Sequence, residues 1–161
     1  MINHCGNKIQ KHPSRHPHRR AASGVMPRPM NAIVSYLAVL LPMIVLDALW
    51  ILVVAKGFYA ARMGFLFQSP VQMAPVAVFY PLYAAAILLL AVLPAAARAS
   101  WTEAVWRGAL LGVAAYAAYD LTNHATIARW PLAMTVVDIA WGVCVTAAVS
   151  LVAYAVIKHF Q

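Results

Sequence analysis

Residues 32–55 run for roughly two dozen positions with one charged side chain among them, Asp47. A helix needs about 20 mainly apolar residues to cross a bilayer, within a range of about 17–25, so this stretch constrains the fold more than any other feature. Residues 73–97, 104–121 and 133–157 share its character. The 104–121 stretch is the shortest and carries Arg107 near its start, where a long side chain can extend its guanidinium to the interface. Inside lipid the backbone has no water to bond, and unbroken helices satisfy it internally. The predicted fold class is all-α: a multi-pass integral membrane four-helix bundle, with polar connections over 56–72, 98–103 and 122–131. Pro42, Pro81 and Pro94 each delete a backbone donor within these helices and predict local bends.

Composition agrees with a lipid environment. Hydrophobic residues make up 64% of the 161-residue chain and charged residues 10%, against roughly 45–50% and about 25% in soluble domains. The mean hydropathy is +0.75. So short a chain cannot hide that much apolar surface in its own interior, which makes the lipid bilayer its expected partner. The formal charge of +8 would suggest nucleic acid if it were spread evenly, but six of the 12 Lys and Arg residues precede residue 30. No nucleic-acid partner is expected.

Residues 1–29 are rich in Pro, His, Arg and Ser and lack any apolar period, the composition of a disordered basic leader. Met26 and Met30 stand just before the first apolar stretch, so the leader is either a disordered extension or an untranslated segment. The transmembrane domain is expected over 30–161. A cleaved signal peptide has an apolar core of only ~7–15 residues; residues 32–55 exceed it and contain Asp47, which favours an uncleaved helix. Arg98, Arg107 and Lys158 share a side with the leader, whereas Lys56, Arg62 and Arg129 lie on the other. That imbalance predicts both termini in the cytoplasm. Cys5 lies in the leader and Cys144 in an apolar stretch, so no disulfide framework is expected. The leader histidines and Cys5 lack the spacing of a closed zinc site. There is no glycine-rich phosphate loop and no nucleophile elbow. Neither metal nor cofactor is expected.

The acids carry the functional signal. A carboxylate at mid-bilayer costs at least ~2.5–3.5 kcal/mol and normally faces a bundle interior or cavity. On the predicted topology Asp47, Asp138 and Asp120 all fall in the outer half. Tyr80, Tyr83, Tyr116 and Tyr119 approach the same side. At 100° per residue Gly108, Gly112, Tyr116, Tyr119 and Asn123 share an arc with Asp120 on its flank, and Thr135, Asp138, Gly142 and Thr146 share another. These arcs predict one outward-facing polar pocket. Each residue also has a structural reading. Gly108 and Gly112 form a GxxxG packing motif, the tyrosines and Trp101, Trp106 and Trp130 can anchor at interfaces, and Asp47 and Asp138 can lock the bundle by bonding tyrosines. His124 with Asp120 could relay protons or simply be solvated. Asp47-Ala-Leu-Trp50 echoes Asp138-Ile-Ala-Trp141, and Tyr80-Pro-Leu-Tyr83 echoes Tyr116-Ala-Ala-Tyr119, a hint of inverted repeats.

The run Tyr119-Asp120-Leu-Thr-Asn123-His124-Ala-Thr…Arg129-Trp130-Pro131, followed by Thr135-Val-Val-Asp138-Ile-Ala-Trp141-Gly142, resembles a bacterial membrane-protein family catalogued as domain of unknown function 2177. Leu46-Asp47…Trp50, Phe79-Tyr80…Tyr83 and Gly108…Gly112 fit the same pattern, so the resemblance covers residues 30–158 and leaves the leader outside. It implies a four-helix protein of the bacterial inner membrane and brings no activity, substrate or cofactor. Three functions stay open. A small carrier or ligand-binding protein would hold a cation or proton on Asp47 and Asp138, and a homodimer suits it because four helices are few for a carrier. A membrane enzyme acting on a lipid or isoprenoid would use Asp120 and His124, and a structural or assembly subunit would need neither.

Overall fold

The computed structural model describes residues 31–66 and 70–160, so the expectation for a leader over 1–29 lies outside the described residues. Those residues form helices joined by short turns, with no strand among them. Helix α1 spans Ala32–Val54, α2 Lys56–Met63, α3 Met73–Ala97, α4 Trp101–Thr126 and α5 Leu132–His159. Three of them, α1, α3 and α5, are long and apolar enough to cross a membrane. Helix α4 has the length, at 26 residues, but its Glu103, Arg107 and Asp120 leave it outside that set. Four spanning helices were expected from the sequence; three meet length and apolarity together.

Local chemistry sets the boundaries. The Asn31 side chain accepts from the Ile33 amide at 3.0 Å and starts α1. Ser100 accepts from the Glu103 amide at 3.3 Å, the Ser-x-x-Glu pattern of a capping box, and starts α4 before residue 104. Ala99 (φ 50°) and Arg129 (φ 64°) turn the chain into α4 and α5, in a left-handed conformation that costs an L residue roughly 1–2 kcal/mol. The connection expected over 56–72 contains the short helix α2. Lys56 and Arg62 are exposed while Tyr59 and Met63, four apart, turn inward.

Helices α1 and α3 run on through Pro42 and Pro81. Near Pro94, α3 widens to a π-turn over Leu88–Val92. Pro94 offers no N–H to the Leu90 carbonyl four residues back, and Arg107 Nη1 bonds that carbonyl instead, at 3.3 Å. A second π-turn, Trp50–Val54, ends α1.

Helices α4 and α5 are antiparallel and lie almost backbone to backbone. A Cβ on Gly108 would stand 2.8 Å from the Thr146 carbonyl oxygen, one on Gly112 would run into the Gly142 carbonyl, and one on Gly142 would run into the Tyr116 ring. The GxxxG motif therefore packs two helices of one chain, as small residues do where no apolar effect drives helices together in lipid. Each step of four along α4 meets a step of four back along α5: Gly108 with Ser150, Gly112 with Thr146, Tyr116 with Gly142. The next rung sets Asp120 opposite Asp138. The buried line of α4 follows this four-residue stride, so the arc drawn through Tyr119 and Asn123 is corrected: Tyr119 is 58% exposed and Asp120 is fully buried.

Val39 and Met43 of α1, Ile87 and Val92 of α3, and Val149 and Ile157 of α5 form the apolar core. The outer surface is apolar as well, with Leu52, Val53, Val78, Leu89, Leu110 and Leu132 each at least 60% exposed. At the end holding residues 98–107, Arg98 Nη1 and Arg107 Nε donate to one Glu103 oxygen at 2.8 and 2.6 Å. Burial alone would push the Glu103 carboxyl up, but the hydrogen bond from Arg107 and the charges of Arg98 and Arg107 outweigh it and hold the group below its ordinary value.

Two outcomes test this packing. Gly112→Ala should lower stability by about 1–3 kcal/mol through overpacking against backbone, read as a lower Tm in detergent. Gly57→Ala, with open space around it, should leave Tm unchanged or slightly raised. A depressed carboxyl pKa stabilises the fold above the ordinary value of about 4.3, and that contribution disappears as pH falls through the lower folded value. The Tm gap between wild type and Glu103→Gln, open at neutral pH, should therefore close in acid.

Candidate functional site

The acids of α1 and α5 are tied together by two tryptophans. Trp141 Nε1 donates to Asp47 Oδ1 at 2.9 Å, and Tyr80 OH donates to Asp47 Oδ2 at 3.2 Å. Trp50 Nε1 donates to Tyr59 OH at 2.9 Å, and Tyr59 OH donates to Asp138 Oδ1 at 2.6 Å. The two indoles stack with centroids 4.3 Å apart and planes 5° from parallel. The Asp-x-x-Trp echo thus has a physical meaning: on two antiparallel helices, each aspartate bonds the other motif's tryptophan, directly or through Tyr59.

The other predicted residues divide. Tyr83 is buried and its hydroxyl pairs with Thr146 Oγ1 at 2.8 Å. Tyr116 lies against Gly142 and meets Tyr83 edge to face, centroids 6.5 Å apart. Tyr119 turns outward and packs edge to face on Trp130, with Asn123 beside it. His124 is exposed and makes no bond to Asp120, so the Asp120–His124 relay is not assembled. Trp130 is buried, its Nε1 donating to Thr135 Oγ1 at 3.1 Å. Trp101 and Trp106 are exposed.

The three acids differ in how well they are satisfied. Asp47 has a donor on each oxygen. Asp138 has the Tyr59 phenol. Asp120 has none: both its oxygens are buried without a hydrogen-bond partner among the described residues. It lies one four-residue step beyond Tyr116 on α4, as Asp138 lies one step before Gly142 on α5. Lys56, Arg62 and Arg129, the basic residues of this end, are exposed, and the ion pairs among the described residues all involve Glu103.

Beside these acids a cavity of about 260 Å³ is lined by Ile51, Tyr59, Met63, Tyr116, Met134 and Asp138. Helix α2 forms one wall and delivers Tyr59 from within the connection expected over 56–72. Its signal was the inward pair Tyr59 and Met63 at helical spacing. No group of three or more His, Cys, Asp or Glu among the described residues could hold a metal ion.

The sequence pattern of the family described as "Predicted membrane protein (DUF2177)" matches residues 32–155. The chain belongs to that family. No curated protein and no solved structure matches it. The matched part of this DUF2177 chain includes both Asp-x-x-Trp motifs, the glycine ladder and all three acids of the site.

Tyr59→Phe removes the hydroxyl that joins α2 to the DUF2177 bundle and leaves the Trp50 indole N–H and one Asp138 oxygen unpaired. Loss of a buried partner costs about 1–3 kcal/mol. Hydrogen exchange across residues 56–63 should rise, with exchange in α4 unchanged.

Proposed function

We propose that this protein binds a small cation, or takes up a proton in its place, in a polar pocket at the end of the bundle where α2 lies. The observation that carries this reading is Asp120, a fully buried carboxyl with neither oxygen bonded, facing Asp138 across the α4–α5 ladder. An unpaired buried carboxylate is costly and persists when a proton, an ion or a ligand compensates it. Asp138, half-buried and bonded by the Tyr59 phenol alone, is the second carboxyl of this end, and no basic side chain bonds either, so the site lacks a positive charge. Asp47, satisfied on both oxygens, serves as the lock that holds α1 and α3 to α5, and Asp138 with Asp120 forms the binding pair. The pocket is lined further by Tyr59 and Tyr116, with Trp50 and Trp141 behind them.

In this reading α4 crosses the bilayer as a fourth helix over residues 104–121. Its acid lies toward the bundle interior and its Arg107 at the interface. Both termini are cytoplasmic, and the pocket opens to the outside of a bacterial inner membrane. A homodimer completes a carrier built from so few helices. The enzyme reading has less support, because His124 does not meet Asp120. A purely structural role is favoured for Asp47 alone.

Protein reconstituted in liposomes and challenged with potassium, ammonium or tetraphenylphosphonium should release protons on binding or take up the cation in a pH-dependent way. Asp120→Asn and Asp138→Asn should abolish that response with folded yield retained. A wild type silent to all three cations across pH, with variants that instead lose folded yield, would make these acids structural.

A further inference from the structure

Tyr116 stands in the wall of two cavities. One is the cavity with Tyr59 and Asp138. The other, of about 290 Å³, lies between α3 and α4 and is lined by Phe79, Ala115, Tyr116 and Tyr119. Phe79 and Tyr119 are 44% and 58% exposed on the apolar outer surface of the bundle, so this second cavity opens toward lipid. An apolar groove and an acidic, aromatic-walled cavity therefore adjoin across a single ring. The chemistry of the pair is complementary to a molecule with a positive centre and apolar substituents. Inorganic ions would have no use for the groove, and neutral lipids would leave the carboxyls uncompensated.

We propose that the ligand is an amphipathic organic cation that reaches the site from the membrane. Its ammonium or phosphonium centre lies against Asp138 in the cavity wall, with the orphan Asp120 buried outside the lining. The faces of Tyr59 and Tyr116 add the attraction that aromatic rings offer to desolvated cations. Its apolar groups occupy the Phe79–Tyr119 groove, and Met63 and Met134, unbranched and polarizable, line the Asp138 cavity in a form that adapts to varied shapes. No oxidation or group transfer is involved. This inference rests on the cation-binding reading above and goes further in naming the class of cation.

The test uses the full chain in nanodiscs and follows its tryptophan fluorescence, to which Trp50 and Trp141 contribute, during titration with tetraphenylphosphonium, methylammonium and neutral triphenylphosphine. Saturable binding of tetraphenylphosphonium at least about tenfold tighter than methylammonium is expected, with no saturable response to triphenylphosphine. Asp138→Asn should remove the response at an unchanged Tm. Phe79→Ala, on the lipid-facing side where folding tolerates truncation, should weaken tetraphenylphosphonium several-fold and leave methylammonium unaffected. Equal binding of both cations, indifferent to Phe79→Ala, overturns the amphipathic class and leaves cation binding standing. Equal binding of triphenylphosphine overturns the role of the charge, and silence toward every cation overturns both readings.

Discussion

The close approach of α4 and α5 is the contact on which the rest depends. Gly108, Gly112 and Gly142 remove the side chains that would hold two helices apart, and the helices meet through backbone and hydroxyl groups. In lipid, where apolar surfaces gain nothing by leaving the solvent, such contact replaces the hydrophobic drive of soluble cores. It also fixes register. Once Gly112 meets Thr146 and Tyr116 meets Gly142, Asp120 has no choice but to face Asp138, whatever the local cost to either carboxyl.

The other helices are held by polar bonds that cross the same end of the bundle. Asp47 draws a phenol from α3 and an indole from α5, and Tyr59 draws α2 onto α5 through Asp138. The stacked indoles sit between these two knots. At the opposite end, Glu103 gathers Arg98 and Arg107, and the latter also bonds the Leu90 carbonyl, to which Pro94 offers no N–H. The two ends thus differ in kind. One neutralises its acid with two guanidinium groups, and the other surrounds its acids with neutral donors and leaves one of them bare.

Much of this was legible in the sequence because apolar length and helical spacing are local properties. The second apolar stretch coincides with α3, and residues 32–55 and 133–157 differ from α1 and α5 by a residue or two at their ends. The placement of Asp47, Tyr80 and Asp138 in one half of the bundle followed from helix direction alone. What stayed hidden depends on contact. The Ser100 capping box lengthens α4 where residues 98–103 had looked like a loop, and only packing against α5 turns its buried line to Asp120 in place of Tyr119. Tyr59 was missed because eight residues carrying Lys56 and Arg62 look like a connection until an acid partner on α5 gives them something to bind. The burial of Trp130 depends in the same way on Thr135, five residues on in the next helix.

The glycine ladder has a mechanical consequence. Sliding α4 along α5 by one rung, about 6 Å at 1.5 Å per residue, would carry the Tyr116 ring to Thr146, where the groove holds a hydroxyl and closely apposed backbone. No intermediate offset offers the glycines a matching partner. The two helices therefore behave as a single stiff beam, and relative displacement within the bundle falls to α1 and α3, whose attachment to the beam near the acids is made of a few directional bonds. Any opening at the acidic end is geared through the Asp47 knot and the stacked indoles rather than through the glycine seam.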